Sequence, residues 1–173
     1  MSPRAAWRLE SFGFTEVHDY VAGKLDWLAA GLPTEGTNAE RPRAADIARR
    51  DVPTCRMAER LGDVRERVSA AGWVACVVTN EQSVVLGLLR SKELQGDPDL
   101  TIEQAMRPGP STFRPFVAID EMAAFMVDHD LANSPITTSD GILVGLLIRE
   151  DAVEEARRLH SHRPTRRGDG SGR

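Results

Sequence analysis

The chain has only two cysteines among its 173 residues, Cys55 and Cys76. They stand at neither metal-ligand nor redox spacing. Cys76 lies inside the apolar stretch "WVACVV", so both read as small buried thiols. The four histidines are scattered too, at His18, His129, His160 and His162. The pair in "HSH" (160–162) has no third ligand near it in sequence, so solvated side chains are expected there rather than a metal site. No apolar run is long enough to span a bilayer, and the charged opening "MSPRAAWRLE" is no signal peptide. The expectation is a cytoplasmic protein with no membrane partner. No motif asks for a metal, a flavin or a nicotinamide, and no cofactor is expected. Positive charge is sparse outside the tail. The net charge is −4, and residues 157–173 hold six Arg against one Asp, a local +5 that leaves −9 on the rest. A body this acidic is repelled by phosphate backbones, so nucleic acid is not an expected partner. Residues 161–173 have almost no apolar content and are expected to be disordered.

What is present suits a globular protein: 41% hydrophobic and 28% charged residues. The length allows one ordinary domain, or a small domain with an appendage, and a core that needs no staples. Residues 1–33 carry helix–strand–helix signals: a helix over 3–12 stopped by Gly13, a strand near Val17–Tyr20, and a helix over 24–30 closed by "GLP". Trp7, Phe12, Phe14, Trp27 and Leu28 would need a partner surface, because two helices and one strand make no domain. Residues 34–43, "TEGTNAERPR", have no periodicity and read as a linker.

Residues 44–160 contain an internal repeat. Gly87 and Gly145 stand 58 residues apart. At that offset Leu86, Leu88 and Leu89 fall on Val144, Leu146 and Leu147. Leu61, Val64 and Val68 fall on Ile119, Met122 and Met126, and Glu93 falls on Asp151. The copies span 44–100 and 101–160. Each opens with an extended piece, "TCR" (54–56) or "TFR" (112–114), and continues into a helix with one apolar stripe. Asp63 with Glu66 predicts a capping box for the first such helix, and Thr101 with Gln104 predicts another helix start. A strand follows, "VACVVT" (74–79) or "SPITT" (134–138), and then a turn in which Asp140-Gly141 tolerates positive φ. The second hairpin strand is "VVLGLL" (84–89) or "ILVGLL" (142–147). Unbroken apolar runs mean burial on both faces, so helices must cover what the partner sheet does not. The glycine inside each strand implies close approach by another backbone or a ligand. A closing helix, Ser91–Leu94 or Arg149–His160, ends each copy. The predicted class is α/β (α+β): two β-α-β-β-α repeats about a pseudo-two-fold axis, with clefts between them.

This β-α-β-β-α unit, with its "NSPITTSDGILVGLLIREDAV" (133–153), resembles the cystathionine-β-synthase-type (CBS) domain, and the tandem resembles a Bateman module. The resemblance covers residues 44–156. It implies a regulatory module that binds an adenosine-containing ligand of the AMP, ATP or S-adenosylmethionine class. The family's ligand signature is a Thr or Ser three residues after the glycine and an Asp six after it. The Asp would accept ribose hydroxyls, and phosphate would meet the hydroxyl and a helix N-terminus. Asp151 matches the Asp. Ile148 stands where the hydroxyl is expected, and the following Arg149 is placed to meet phosphate. In the first copy Arg90 and Glu93 hold the two positions. By the same resemblance the adenine pocket would draw on Thr112, Phe113, Pro135 and Ile136. Asp151 also suits a plain helix cap, and the four pocket residues, all but Thr112 apolar, also suit an ordinary core.

Residues 2–36 are similar to the C-terminal end of a rhodanese (sulfurtransferase) domain, through "AAWRLESFGF" and "VAGKLDWLAAGLP". In that family a Cys thiolate takes up sulfur. Its place falls just before "SPRAA", where this chain begins, so no catalytic residue is expected. Either the fragment is a remnant, or Met1 is a misassigned start of a longer rhodanese–CBS protein. The leading expectation is a non-catalytic nucleotide-sensing CBS pair. The alternatives are a sulfurtransferase lacking its Cys, and a structural module that forms a homodimer through its helices.

Overall fold

Leu61, Val64 and Val68 recur on one face of a helical period, as do Ile119, Met122, Ala123 and Met126. Each stripe folds as a ten-residue helix with that face buried. In the computed structural model, which describes residues 2–18, 23, 27, 28, 32–36 and 41–161, the order is as follows. Helix α1 spans Ser2–Ser11 and α2 spans Ala44–Ile47. The first repeat continues with β1 (Thr54–Cys55), α3 (Leu61–Ala70), β2 (Cys76–Thr79), β3 (Val85–Leu89) and α4 (Ser91–Leu94). Helix α5 (Ile102–Ala105) and β4 (Arg107–Pro108) come next. Then follow α6 (Ile119–Asp128), β5 (Asn133–Thr137), β6 (Leu143–Ile148) and α7 (Arg149–Ser161). This is the expected mixed α/β architecture.

One sheet has the order β1-β2-β3-β4, with β1 parallel to β2 and the other pairs antiparallel. The other is the antiparallel pair β5-β6. It is extended by a parallel bridge from Phe113 to Ile136 and an antiparallel bridge from Arg49 to Leu146. The two sheets are the same construction 58 residues apart, down to a register shift at Val78/Thr79 and again at Ile136/Thr137. They meet at the hairpin tips. Val84 bridges Ile142, the N–H of Val85 donates to the Gly141 carbonyl, and the N–H of Leu143 donates to the Ser83 carbonyl. Val84 faces its own counterpart, Ile142, and the two hydrogen bonds are counterparts of each other, which places the pseudo-two-fold axis at Val84 and Ile142. Gly141 has φ +81°, as its turn requires; its counterpart Ser83 adopts φ +61° without being glycine.

The repeats also exchange their leading segments. Helix α2 packs on the second repeat: the N–H of Ala44 donates to the Val117 carbonyl, and the N–H of Ile119 donates to the Pro42 carbonyl. Helix α5 packs on the first, with Ile102 N–H donating to the Glu59 carbonyl and Leu61 N–H to the Leu100 carbonyl. Accordingly Ala44 and Ala48 sit in a core with Ile119, Met126, Ile136 and Leu147, while Ile102 sits with Leu61, Val64, Val78 and Leu89. A third cluster, Val52, Ala75, Val77, Leu88 and Leu146, lies between the sheets. Each large apolar side chain so buried contributes about 1.5–3 kcal/mol.

The exchange explains the strand glycines. A Cβ on Gly145 would lie 2.8 Å from the Arg49 carbonyl oxygen, and one on Gly87 would meet Met106 Sδ and stand 3.2 Å from the Arg107 carbonyl oxygen. The glycines therefore admit the crossing segment, its backbone at Gly145 and chiefly the Met106 side chain at Gly87. It also corrects one expected cap. Helix α3 begins at Leu61, two residues before Asp63, because carbonyls of Pro98 and Leu100 already accept its first N–H groups. The Thr101–Gln104 start is found as expected, with Gln104 Oε1 accepting the Thr101 N–H at 3.0 Å.

Helix α1 agrees with the predicted 3–12. The strand expected near Val17–Tyr20 is absent at Val17 and His18, and Asp19 and Tyr20 lie outside the described residues. Of the helix expected over 24–30, Trp27 and Leu28 are helical, and the rest lies outside the described residues. Trp7, Phe12 and Phe14 are 66%, 65% and 60% exposed, with the Arg8 guanidinium 4.7 Å from the Phe12 ring centroid.

Candidate ligand clefts

Apolar β6 ends where it leaves the core, and the chain turns at once into α7. Ile148 is its last strand residue, paired with Asn133, and Arg149 and Asp151 fall in the first turn of the helix. That places the Asp151 carboxylate near the positive end of the helix dipole. Its two oxygens are occupied. Arg49 Nε donates to Oδ2 at 2.7 Å and Nη2 donates to Oδ1 at 3.0 Å, a bidentate fork. Arg49 belongs to the exchanged segment, and its backbone N–H and C=O both bond to Leu146 at 2.9 Å. Its guanidinium carbon stands 5.8 Å from the Trp73 ring centroid. The hydrogen bond to Asp151 raises the Arg49 pKa further above its ordinary value. A cavity of about 330 Å³ opens here, lined by Asp46, Ile47, Arg49, Asp151, Glu154, Glu155 and Arg158.

Arg149 donates to Asp130 at 2.8 Å, and Asp130 is 94% exposed. A pair this wet holds its arginine weakly, by about 0–1 kcal/mol, so Arg149 can turn to another anion. Ile148 is half-buried and offers no hydrogen bond.

The second group lies around the Phe113–Ile136 bridge, where the Phe113 N–H donates to the Pro135 carbonyl at 3.1 Å. Thr112 is exposed at its edge. Phe113 is half-buried and stacks edge-to-face on Phe125 at 5.0 Å. Pro135 is buried, and Ile136 has no exposed surface and packs on Ile119 and Met126. The side chain of Ile136 is thus spent on the core.

The first repeat builds the same junction with other residues. Glu93 Oε2 accepts the Arg90 N–H at 3.0 Å as a cap on α4, and its side chain is 12% exposed. Arg107, the counterpart of Arg49, stands 3.8 Å from Glu93 Oε1. Arg90 occupies the hydroxyl position and reaches across to Asn133 Oδ1 at 3.3 Å. The longer Glu side chain curls back on its own helix start, where Asp151 points outward to Arg49.

Sequence reasoning missed Arg49, Arg107, Arg56 and Arg114. Arg56 donates to Thr79 Oγ1 and the Asn80 carbonyl, and Arg114 donates to Thr137 Oγ1 and the Thr138 carbonyl. The signal was available, since each pair of arginines recurs at the same 58-residue offset.

No family model matches the chain. An uncharacterised protein of Methanopyrus kandleri is 26% identical over 117 residues, covering 63% of this chain and 60% of that protein; the chain thus spans less than two-thirds of that relative's length. Several solved structures resemble it, among them the following three. CBSX2 of Arabidopsis thaliana, a CBS-pair protein, in complex with AMP gives a TM-score of 0.61 at 16% identity over 69% of this chain and 98% of that one. The CBS domain pair of protein MJ0100, in complex with 5′-methylthioadenosine and S-adenosyl-L-methionine, gives 0.59 at 17% over 70% and 97%. The cytosolic domain of the Mg2+ channel MgtE in complex with ATP gives 0.61 at 21% over 66% of this chain and 48% of that one. At these identities the likeness speaks for the fold, and the fold is that of a CBS-domain pair.

Proposed function

We propose that this chain is a non-catalytic regulatory module that binds an adenosyl nucleotide in its second cleft. The observation that carries the reading is Asp151, a carboxylate at a helix start whose two oxygens already accept a two-donor fork. A ribose presents two hydroxyl donors to the same acceptors. Arg149 shares the first turn of α7 with it, and that helix N-terminus suits phosphate. The ligands named for CBSX2, MJ0100 and MgtE support the same chemical class. Because the cleft wall includes the exchanged segment 46–49, a bound ligand would bias how that segment sits, and so act on what is attached to it.

The experiment is calorimetric titration of the full chain with AMP, ATP and S-adenosylmethionine, beside thermal melting. Saturation at about 100 times Kd stabilises by about 2.7 kcal/mol, or about 5–10 °C in Tm. Asp151→Ala is expected to abolish the heat with the fold intact. No heat and no melting shift with any of the three would sink the reading.

A second reading, homodimerisation, is favoured by a groove between α6 and α7. It has a volume of about 480 Å³ and an apolar floor of Ala123, Ala124, Val127, Val153 and Ala156. Asp120 and Asp128 on one side face Arg157 and His160 on the other, a charge pattern that a two-fold partner can match. Sedimentation of the wild type against Val127→Asp tests it; a monomer at all concentrations rules it out. Whatever the descent of residues 2–36, we assign the chain no sulfur-transfer chemistry. Cys76 is pushed far above the usual thiol range, first by its contact with Cys55 and then by burial, which disfavours a thiolate.

A further inference from the structure

Arg49 occupies the carboxylate of the second cleft. Its fork takes both oxygens of Asp151, the same two acceptors that a vicinal diol would use. Nothing else in the cleft is so placed. The other acids of the cavity already have partners: Asp46 accepts the Arg43 N–H at 2.8 Å, and Glu154 and Glu155 are paired with Arg158. The guanidinium is half exposed and can swing, but its backbone cannot leave, being bonded twice to Leu146 and pressed against Gly145. A diol that binds Asp151 therefore displaces the guanidinium and leaves it nearby, over Trp73. There it stands beside the first turn of α7, which carries Asp151. Asp51, itself exposed, is the other carboxylate whose charge it feels.

We propose that Arg49 is the specificity-determining residue of this cleft, a guanidinium gate that admits a ribonucleoside only if the ligand also carries a phosphate to receive the displaced charge. The proposal rests on the nucleotide reading of the second cleft and narrows it. A neutral nucleoside leaves Arg49 without its carboxylate and offers nothing in return. A sulfonium nucleoside brings a positive charge beside the displaced guanidinium. A nucleoside phosphate answers both. Lysine cannot replace the gate fully, because an ammonium lacks the planar fork.

The test is calorimetry on the full chain with AMP, adenosine and S-adenosylmethionine, for the wild type, Arg49→Ala and Arg49→Lys. The wild type is expected to bind AMP about tenfold or more tightly than the other two. In Arg49→Ala the carboxylate is vacant, so adenosine is expected to tighten about threefold to tenfold while AMP gains nothing, and the AMP preference collapses. Arg49→Lys is expected to fall between the two. Melting within about 2 °C of wild type shows that Arg49→Ala is folded. An unchanged AMP-to-adenosine ratio in Arg49→Ala, or S-adenosylmethionine binding the wild type as tightly as AMP, overturns the gate while leaving the nucleotide reading in place. Absence of binding by all three ligands to all three proteins overturns the nucleotide reading, and the gate with it.

Discussion

Substituting alanine at Gly145 and at Gly87 separates a backbone obstacle from a side-chain one. At Gly145 the new Cβ meets the Arg49 carbonyl oxygen at 2.8 Å and Ala48 Cβ at 3.2 Å. That carbonyl is the acceptor for the Leu146 N–H, and the Arg49 N–H donates back to Leu146 at 2.9 Å. The segment cannot retreat without stretching both bonds. Overpacking of this kind costs about 1–3 kcal/mol, and two weakened hydrogen bonds add about 1 kcal/mol each at most. The stiffer unfolded chain returns about 0.4–1 kcal/mol, which leaves a loss of about 2–4 kcal/mol. At Gly87 the nearest obstacle is Met106 Sδ, the far end of a flexible side chain, and the Arg107 carbonyl oxygen stands farther off at 3.2 Å. Met106 can swing aside, so the same substitution is expected to cost about 1 kcal/mol. In thermal melts of the two variants, Tm falls by about 5–15 °C for Gly145→Ala and by about 2–4 °C for Gly87→Ala. The variants are chemically identical and sit at equivalent positions, so the difference reads only what crosses them. Equal losses, or a larger loss at Gly87, would refute the account of the exchanged segments.

Three further outcomes can be measured. Ser134 Oγ is buried without a hydrogen-bond partner, whereas the first repeat has Cys76 in its place; Ser134→Ala is expected to leave stability unchanged or to raise it by about 1 kcal/mol, and a loss above that in denaturant melts would show that the hydroxyl is satisfied. Burial alone would raise the Asp120 pKa, but the hydrogen bond and charge of Arg41 outweigh it and hold the carboxyl below the ordinary carboxylate range. The unfolded chain therefore takes up that proton first as pH falls: the contribution is complete above about pH 5 and is lost as pH drops through the lowered value. Asp120→Asn should flatten the acid limb of the stability profile, and an unaltered limb would count against the pair. Thiosulfate:cyanide transfer by the purified chain is expected to be nil, and any turnover abolished by Cys55→Ser or Cys76→Ser would overturn the assignment of inert buried thiols.

The elements of the repeats were legible because their cause is local. Apolar spacing located both ten-residue helices, and unbroken apolar runs located both hairpins. The errors lie at the ends. "VACVVT" suggests a strand from Val74, yet Val74 is 66% exposed and the ladder begins at Cys76. A β-branched residue beside an apolar run looks like strand whether or not a neighbour pairs with it. Asp63–Glu66 looked like a helix start because the true start is served by carbonyls from Pro98 and Leu100, about 40 residues away. At Val17 and His18, the described part of the strand expected near Val17–Tyr20, no described residue pairs with the chain, and an unpaired strand does not form.

The site was legible only in part, and the reason is the exchange of segments. Asp151 could be found because its meaning lies within its own repeat: a strand, a turn into a helix, and a carboxylate in the first turn. Arg49 could not be found in that way, because it acts 102 residues away on the opposite copy. No pattern within one repeat says that residues 44–49 leave it. Yet the repeat held the clue at one remove. Arg49 recurs as Arg107, and both reach an acid at the same place, Asp151 in one copy and Glu93 in the other. Two arginines kept against two acids across a 58-residue offset are hard to assign to a solvated surface, where a lysine or a glutamine would serve. Between the two acids the difference is a single methylene. It lets Glu93 fold back to cap its own helix, so Arg107 stands off at 3.8 Å, while the shorter Asp151 is held in a full fork at 2.7 and 3.0 Å. The two copies thus share one plan, and the side-chain length of the acid decides which of them holds its arginine in a full fork.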